Sequence, residues 1–152
     1  MEKIQFKKEI NASAQKVYET MLGLKNKASY EHWTAAFNPT STYEGSWDNG
    51  SKILFVGTDE NGKKGGMVSE IVAHQPAEFV SIRHYGFLDG DTEITTGEQV
   101  EKWAGGHENY SFQESNGVTT VTVEMDSVDE YLDYFNNTYP KALDKLKEIS
   151  EK

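Results

Sequence analysis

Residues Val128 to Ser150, VDEYLDYFNNTYPKALDKLKEIS, decide the architecture. The apolar positions Val128, Leu132, Phe135, Tyr139, Leu143, Leu146 and Ile149 are spaced four, three, four, four, three and three residues apart. That spacing returns to one face of an α-helix, so the segment predicts one long amphipathic helix. At about 1.5 Å per residue it runs roughly 35 Å. Pro140 lacks a backbone donor, which predicts a kink or a helix start nearby.

Upstream of this rod the periodicity is mostly that of strands. Ile4, Phe6 and Ile10 alternate in KIQFKKEI, interrupted at Lys8, and predict an opening strand. NASAQKVYETMLG then predicts a short helix with Ser13 as N-cap and Gly23 just past its end. NKASYEHWTAAF continues with a second helical piece that stops before Pro39. Asn-Gly pairs follow at Asn49-Gly50, Asn61-Gly62 and Asn116-Gly117, each between segments able to form strands. Both residue types tolerate the positive φ of two-residue hairpin turns, so the pairs predict an antiparallel meander. EFVSIRHYGF and EQVEKWAGGHENYSF add strands, the second with a bend at Gly105 and Gly106, for a total of about seven. An antiparallel sheet with one face to bury, followed by one amphipathic helix, predicts an α+β fold in which the sheet curls around the helix.

The 152 residues suit a single domain, 1–152, with a real core. Aromatic content is high, with three Trp, eight Tyr and seven Phe against only 36% hydrophobic residues, which favours a thin shell around an aromatic interior. The net charge of −10 argues against nucleic acid and against an anionic membrane surface as partners. Asp89, Asp91, Glu93, Glu98 and Glu101 fall within thirteen residues that contain no Lys or Arg, a pattern usual for a solvated loop. The absence of cysteine removes disulfides, thiolate metal sites and cysteine nucleophiles. No signal-peptide core and no apolar run near ~20 residues is present, so the expected location is cytoplasmic.

The strand SIRHYGF, Ser81 to Phe87, sets an arginine beside a histidine, and neighbours on a strand face opposite ways. The even positions Val80, Ile82 and His84 carry no permanent charge, so they are assigned inward and Arg83 outward. A bulge near Tyr85 and Phe87 would reverse this parity at the strand end. The same reasoning turns Val121, Val123 and Met125 inward, with Tyr110 and Phe112 on the preceding strand. Met67, Ser69 and Ile71 are preferred over the set that would bury Glu70. Alternation leaves Ile53 and Phe55 against Leu54 and Val56 open, and the first pair is taken as inner. The helix contributes Leu132, Phe135 and Tyr139, while Trp33, Phe37, Trp47 and Trp103 lie near element ends and can rim a mouth.

Chemistry-bearing motifs are not found. His32, His74, His84 and His107 are scattered, without the spacing of a zinc site, and Glu108 falls on the strand face opposite His107. There is no nucleophile elbow, P-loop or dinucleotide fingerprint. Glu70 and Glu124 lie on faces assigned to solvent, and no carboxylate pair emerges as acid and base. Neither a metal nor a cofactor is therefore expected.

The order of strand, two short helices, six strands and a long terminal helix resembles the START-like, or SRPBCC, helix-grip superfamily. INASAQKVYETML resembles its opening strand-to-helix junction. YEGSWDNGSKILFV, GKKGGMVSEIVAHQPAEFVSIRHYGF and YSFQESNGVTTVTVEM resemble its central hairpins, most closely those of the branch named for the activator of the heat-shock-90 ATPase. The resemblance implies a deep cavity between sheet and helix, used in various members for lipids, polyketides, hormones or aromatic compounds. It does not by itself select a function. The expected partner is a small apolar or aromatic ligand, bound without catalysis by Trp33, Phe37, Phe55, Met67, Ile82, His84, Trp103, Tyr110, Phe112, Leu132, Phe135 and Tyr139. His84, Tyr110 and Tyr139 would supply polar handles, and the acidic Asp89–Glu101 stretch would lie over the mouth as a mobile lid. The alternatives are a protein–protein module binding a chaperone, as the named branch implies, and an enzyme using His84 within the cavity.

Overall fold

Alternation along the first strand, β1 (Glu2–Ile10), buries Ile10 fully and packs Ile4 and Phe6 against the same core. A computed structural model describes all 152 residues, Met1–Lys152. Lys8, which breaks the apolar alternation, sits on the inward row opposite Val121 and forms an ion pair with Asp144 of the terminal helix. Helix α1 (Ala14–Leu22) starts where Ser13 Oγ accepts from the Lys16 amide at 3.2 Å, and ends at Gly23 with φ 69°. Helix α2 (Lys27–Thr34) is capped by Asn26, whose side chain accepts from the Ala28 amide.

Strands β2 (Thr42–Gly45), β3 (Lys52–Thr58), β4 (Lys64–Gln75), β5 (Phe79–Asp89), β6 (Thr92–Ile94), β7 (Gly106–Ser115) and β8 (Val118–Ser127) complete an eight-stranded antiparallel sheet. The order is β1-β8-β7-β5-β4-β3-β2, with the short β6 pairing only with β5. The sequence predicted about seven strands, and the extra one is this return strand inside the acidic stretch, followed by helix α3 (Glu98–Glu101). Only Asn116-Gly117 makes the expected two-residue turn, with φ of 54° and 81° and Ser115 paired to Val118. The other two Asn-Gly pairs sit in longer loops, where glycine alone takes positive φ.

A single 3-10 turn (Asp129–Tyr131) leads into helix α4 (Leu132–Ser150). Pro140 lies inside α4 rather than at its start, and the helix continues through it. Tyr139, Ala142, Leu143, Leu146 and Ser150 are buried, whereas no residue from Leu132 to Thr138 is. The second half of the rod therefore packs on the sheet and on α1 and α2, while the first half stands off. This is the START-like helix-grip arrangement that the sequence resembles. No helix is long and apolar enough to cross a membrane.

Candidate functional site

The inward faces follow the predicted parity over most of the sheet. Val80 and Ile82 are fully buried, and Val121, Val123, Met125, Tyr110 and Phe112 join them in one core cluster. Ile53 is also buried in this cluster and Phe55 packs against it, which resolves the open choice in favour of the first pair. Arg83 points to the outer face, where Nη1 meets Glu70 Oε1 at 2.8 Å. The register between β4 and β5 slips at Val68/Ser69, so His84 pairs with Ser69 but Gly86 with Val68. Tyr85 is the extra residue, and beyond it the parity reverses so that Phe87 turns inward.

Between the sheet and the raised half of α4 lies an open cavity of about 900 Å³. Packing explains why it is there: of the α4 side chains facing it, Tyr134 is exposed, Phe135 half-buried and only Tyr139 buried, and the floor is formed by β3, β4, β5 and β7. Among the residues singled out from the sequence, Trp33, Phe37, Phe55, Met67, His84, Trp103, Tyr110, Phe135 and Tyr139 line it. Ile82 and Phe112 do not; they are sealed in the packed core beneath the floor. Leu132 also lies outside the lining, although its neighbours Tyr131, Tyr134 and Phe135 belong to it. Trp47, expected at the rim, is buried in the core against Tyr43 and Phe55, and its indole N–H has no partner. From the acidic stretch, Asp89 reaches the lining, as do Gln99 and Trp103 around the end of α3.

The polar end of the cavity is a connected set of side chains. Ser69 Oγ lies 2.6 Å from His84 Nδ1, and His84 Nε2 lies 3.0 Å from Glu108 Oε1. The other carboxylate oxygen, Oε2, accepts a hydrogen bond from the Tyr139 hydroxyl. With Nε2–H donating to the carboxylate, Nδ1 is the acceptor for the Ser69 hydroxyl. Ser69 is fully buried and is not part of the lining, so its oxygen is not presented to the cavity. The serine orients the imidazole and is not placed to act as a nucleophile. No three His, Asp or Glu side chains converge to hold a metal ion.

The phenols around Glu108 respond to it. Tyr139 and Tyr110 are held well above the ordinary tyrosine range, by burial first and by the Glu108 charge second. Burial and the same carboxylate push Tyr30 up as well.

Sequence reasoning missed Glu108. Its signal was present, since Glu108, Tyr110 and Phe112 share one parity on β7, and the last two were assigned inward. Glu108 stands directly across from Ile82 on one side and Met125 on the other, both buried. His107, of opposite parity, instead meets Ser81 Oγ at 3.1 Å.

No protein-family model matches the sequence, and no curated protein matches it. Solved structures do. The solution structure of the Aha1 dimer from Colwellia psychrerythraea has a TM-score of 0.70 at 20% identity, covering 99% of this chain and 97% of that one. Protein Ms6760 from Mycobacterium smegmatis has a TM-score of 0.70 at 16% identity, covering 97% of this chain and 89% of that one. ChR145 from Cytophaga hutchinsonii has 0.68 at 16% identity, covering 98% and 93%. At these identities the likeness establishes the fold, START-like and similar to that of Aha1, and leaves the activity to the site itself.

Proposed function

We propose that this protein is a receptor for a small, largely apolar molecule held between the sheet and the raised half of α4. The single observation that carries the reading is the cavity of about 900 Å³, whose lining joins a set of aromatic side chains to the polar cluster at Glu108 and to the charged residues Asp59, Lys63, Lys64, Asp89 and Asp126. Pockets for small molecules are typically roughly 300–1,000 Å³, mostly apolar, with a few placed polar groups that fix orientation. Trp33, Phe37, Phe55, Met67, Trp103 and Phe135 form the apolar wall in this reading. His84, Tyr110 and Tyr139 are the polar handles, and binding requires no chemical step.

Native mass spectrometry of the freshly purified protein, followed by denaturation and extraction, tests the proposal. A released small molecule, or saturable binding of an environment-sensitive apolar dye that Phe55→Ala or Phe135→Ala weakens, is the expected result. A protein that carries no guest and takes up no apolar dye at micromolar concentration would overturn it.

A further inference from the structure

The polar end of the cavity has an uneven donor and acceptor balance, and that imbalance bears on what the guest must be. Glu108 is the carboxylate that ties the polar chain together, and its side chain is only 15% exposed. An ionised carboxylate is acceptor-only, with about four lone-pair sites on its two oxygens. His84 occupies one site on Oε1 and Tyr139 one site on Oε2. About two sites are left on a charge that lines an aromatic cavity. A buried acceptor without its partners is costly, and more so when it carries charge.

The remaining charges of the lining point the same way. Its carboxylates are Asp59, Asp89, Glu108 and Asp126, and its permanent cations are Lys63 and Lys64. Both lysines are already engaged: Lys63 forms an ion pair with Asp89, and Lys64 Nζ lies 3.0 Å from Glu44 Oε2. No uncommitted cation is therefore present to receive an anionic head group. The Tyr139 hydroxyl already donates to Glu108, so it too offers little to an anion. Aromatic faces at the same end, Trp33 and Phe55 among them, favour a positive charge over a negative one.

Resting on the receptor reading above, we infer that the guest carries a hydrogen-bond-donating head group, best a protonated amine, that docks on Glu108 while its apolar body fills the aromatic chamber. Carboxylate-headed guests such as fatty acids or aryl acids are disfavoured by the same residue. Glu108 is the specificity determinant, and His84 and Tyr139 hold its two oxygens in place.

Four probes with one ring system separate the possibilities: 2-methylnaphthalene, 2-naphthalenemethanol, 2-naphthylmethylamine and 2-naphthoate. Each is titrated by calorimetry into the wild-type protein and into Glu108→Gln at pH 7. In the wild type the amine is expected to bind about tenfold or more tightly than the hydrocarbon, the alcohol between them, and the carboxylate weakest. In Glu108→Gln the advantage of the amine over the hydrocarbon is expected to disappear. If that variant does not fold, the wild-type ranking decides alone. Hydrocarbon binding with no gain for the amine, or naphthoate binding as tightly as the amine, overturns the head-group inference and leaves the receptor reading standing. No binding of any of the four, hydrocarbon included, overturns the receptor reading and the inference together.

Discussion

His84 Nε2 and Glu108 Oε1 meet at 3.0 Å across two neighbouring strands, although the backbone partners in register are Ile82 with Glu108 and His84 with Gly106. The pair is thus a diagonal contact on the inner face. Ser69 behind the imidazole completes its hydrogen bonding. Replacing Ser69 with Ala leaves Nδ1 without a donor in a buried site, and the expected loss is about 1–3 kcal/mol. Urea unfolding of Ser69→Ala beside the wild type measures it, and an unchanged midpoint would show that this hydrogen bond does not hold the ring.

The close approach of β3 and β4 places a sharper demand on one glycine. Gly66 has φ 141°, and a Cβ there would lie 1.8 Å from the Phe55 carbonyl oxygen. Gly66→Ala therefore combines a disfavoured backbone with a collision against main chain, and a loss above about 2 kcal/mol is expected. Gly65 is the control, because its added Cβ would find nothing nearer than 3.9 Å. Thermal unfolding of the two variants should differ clearly; equal behaviour would contradict the strand geometry.

The two halves of α4 should answer differently to truncation. Leu143 is 1% exposed and fills the core, so Leu143→Ala is expected to cost about 2–5 kcal/mol. Phe135 borders the hollow and packs on Tyr134 and Tyr139 of its own helix and on Tyr131 of the preceding turn, so Phe135→Ala should cost distinctly less. Its effect should appear instead in the uptake of an apolar dye. Chemical denaturation paired with dye titration tests both statements, and an equal stability loss at the two positions would mean that the first half of α4 is packed after all.

Alkaline pH provides a further reading of the site. Burial and the Glu108 charge raise the folded-state pKa of Tyr30, Tyr110 and Tyr139 above the value of about 10 for a free phenol. The folded protein therefore keeps protons that the unfolded chain releases. Their stabilising contribution is complete below pH about 10 and declines as pH climbs from there towards the raised folded values. Absorbance of the phenolate should show at least three of the eight tyrosines silent until the chain unfolds. Eight phenols ionising together near pH 10 in the folded protein would refute the arrangement.

Much of the frame was legible residue by residue. Alternation placed Val80, Ile82 and Val121, Val123, Met125 on the inner face, because a strand presents successive side chains to opposite sides whatever its neighbours are. Ser13 and Gly23 marked the ends of α1 because capping is local hydrogen bonding. The seven-position stripe of α4 was equally plain. Lys8 and Pro140, which looked like interruptions, are accommodated within the elements: the first reaches Asp144, and the second sits on an exposed part of its helix.

Glu108 shows where such reading stops. The alternation through Tyr110 and Phe112 points Glu108 inward, but the sequence offers no partner for a buried carboxylate and leaves the residue unassigned. What makes the position tolerable is a histidine 24 residues away and a tyrosine 31 residues away, brought to it by strand pairing and by the path of the terminal helix. The bulge at Tyr85 and the lift of α4 away from the floor belong to the same class, since both arise from how distant segments meet. Periodicity along the chain dictates which side of an element is apolar. Whether two apolar sides close on each other or leave room for a guest depends on side-chain volumes summed over every element at once, and that sum exists only in the folded molecule.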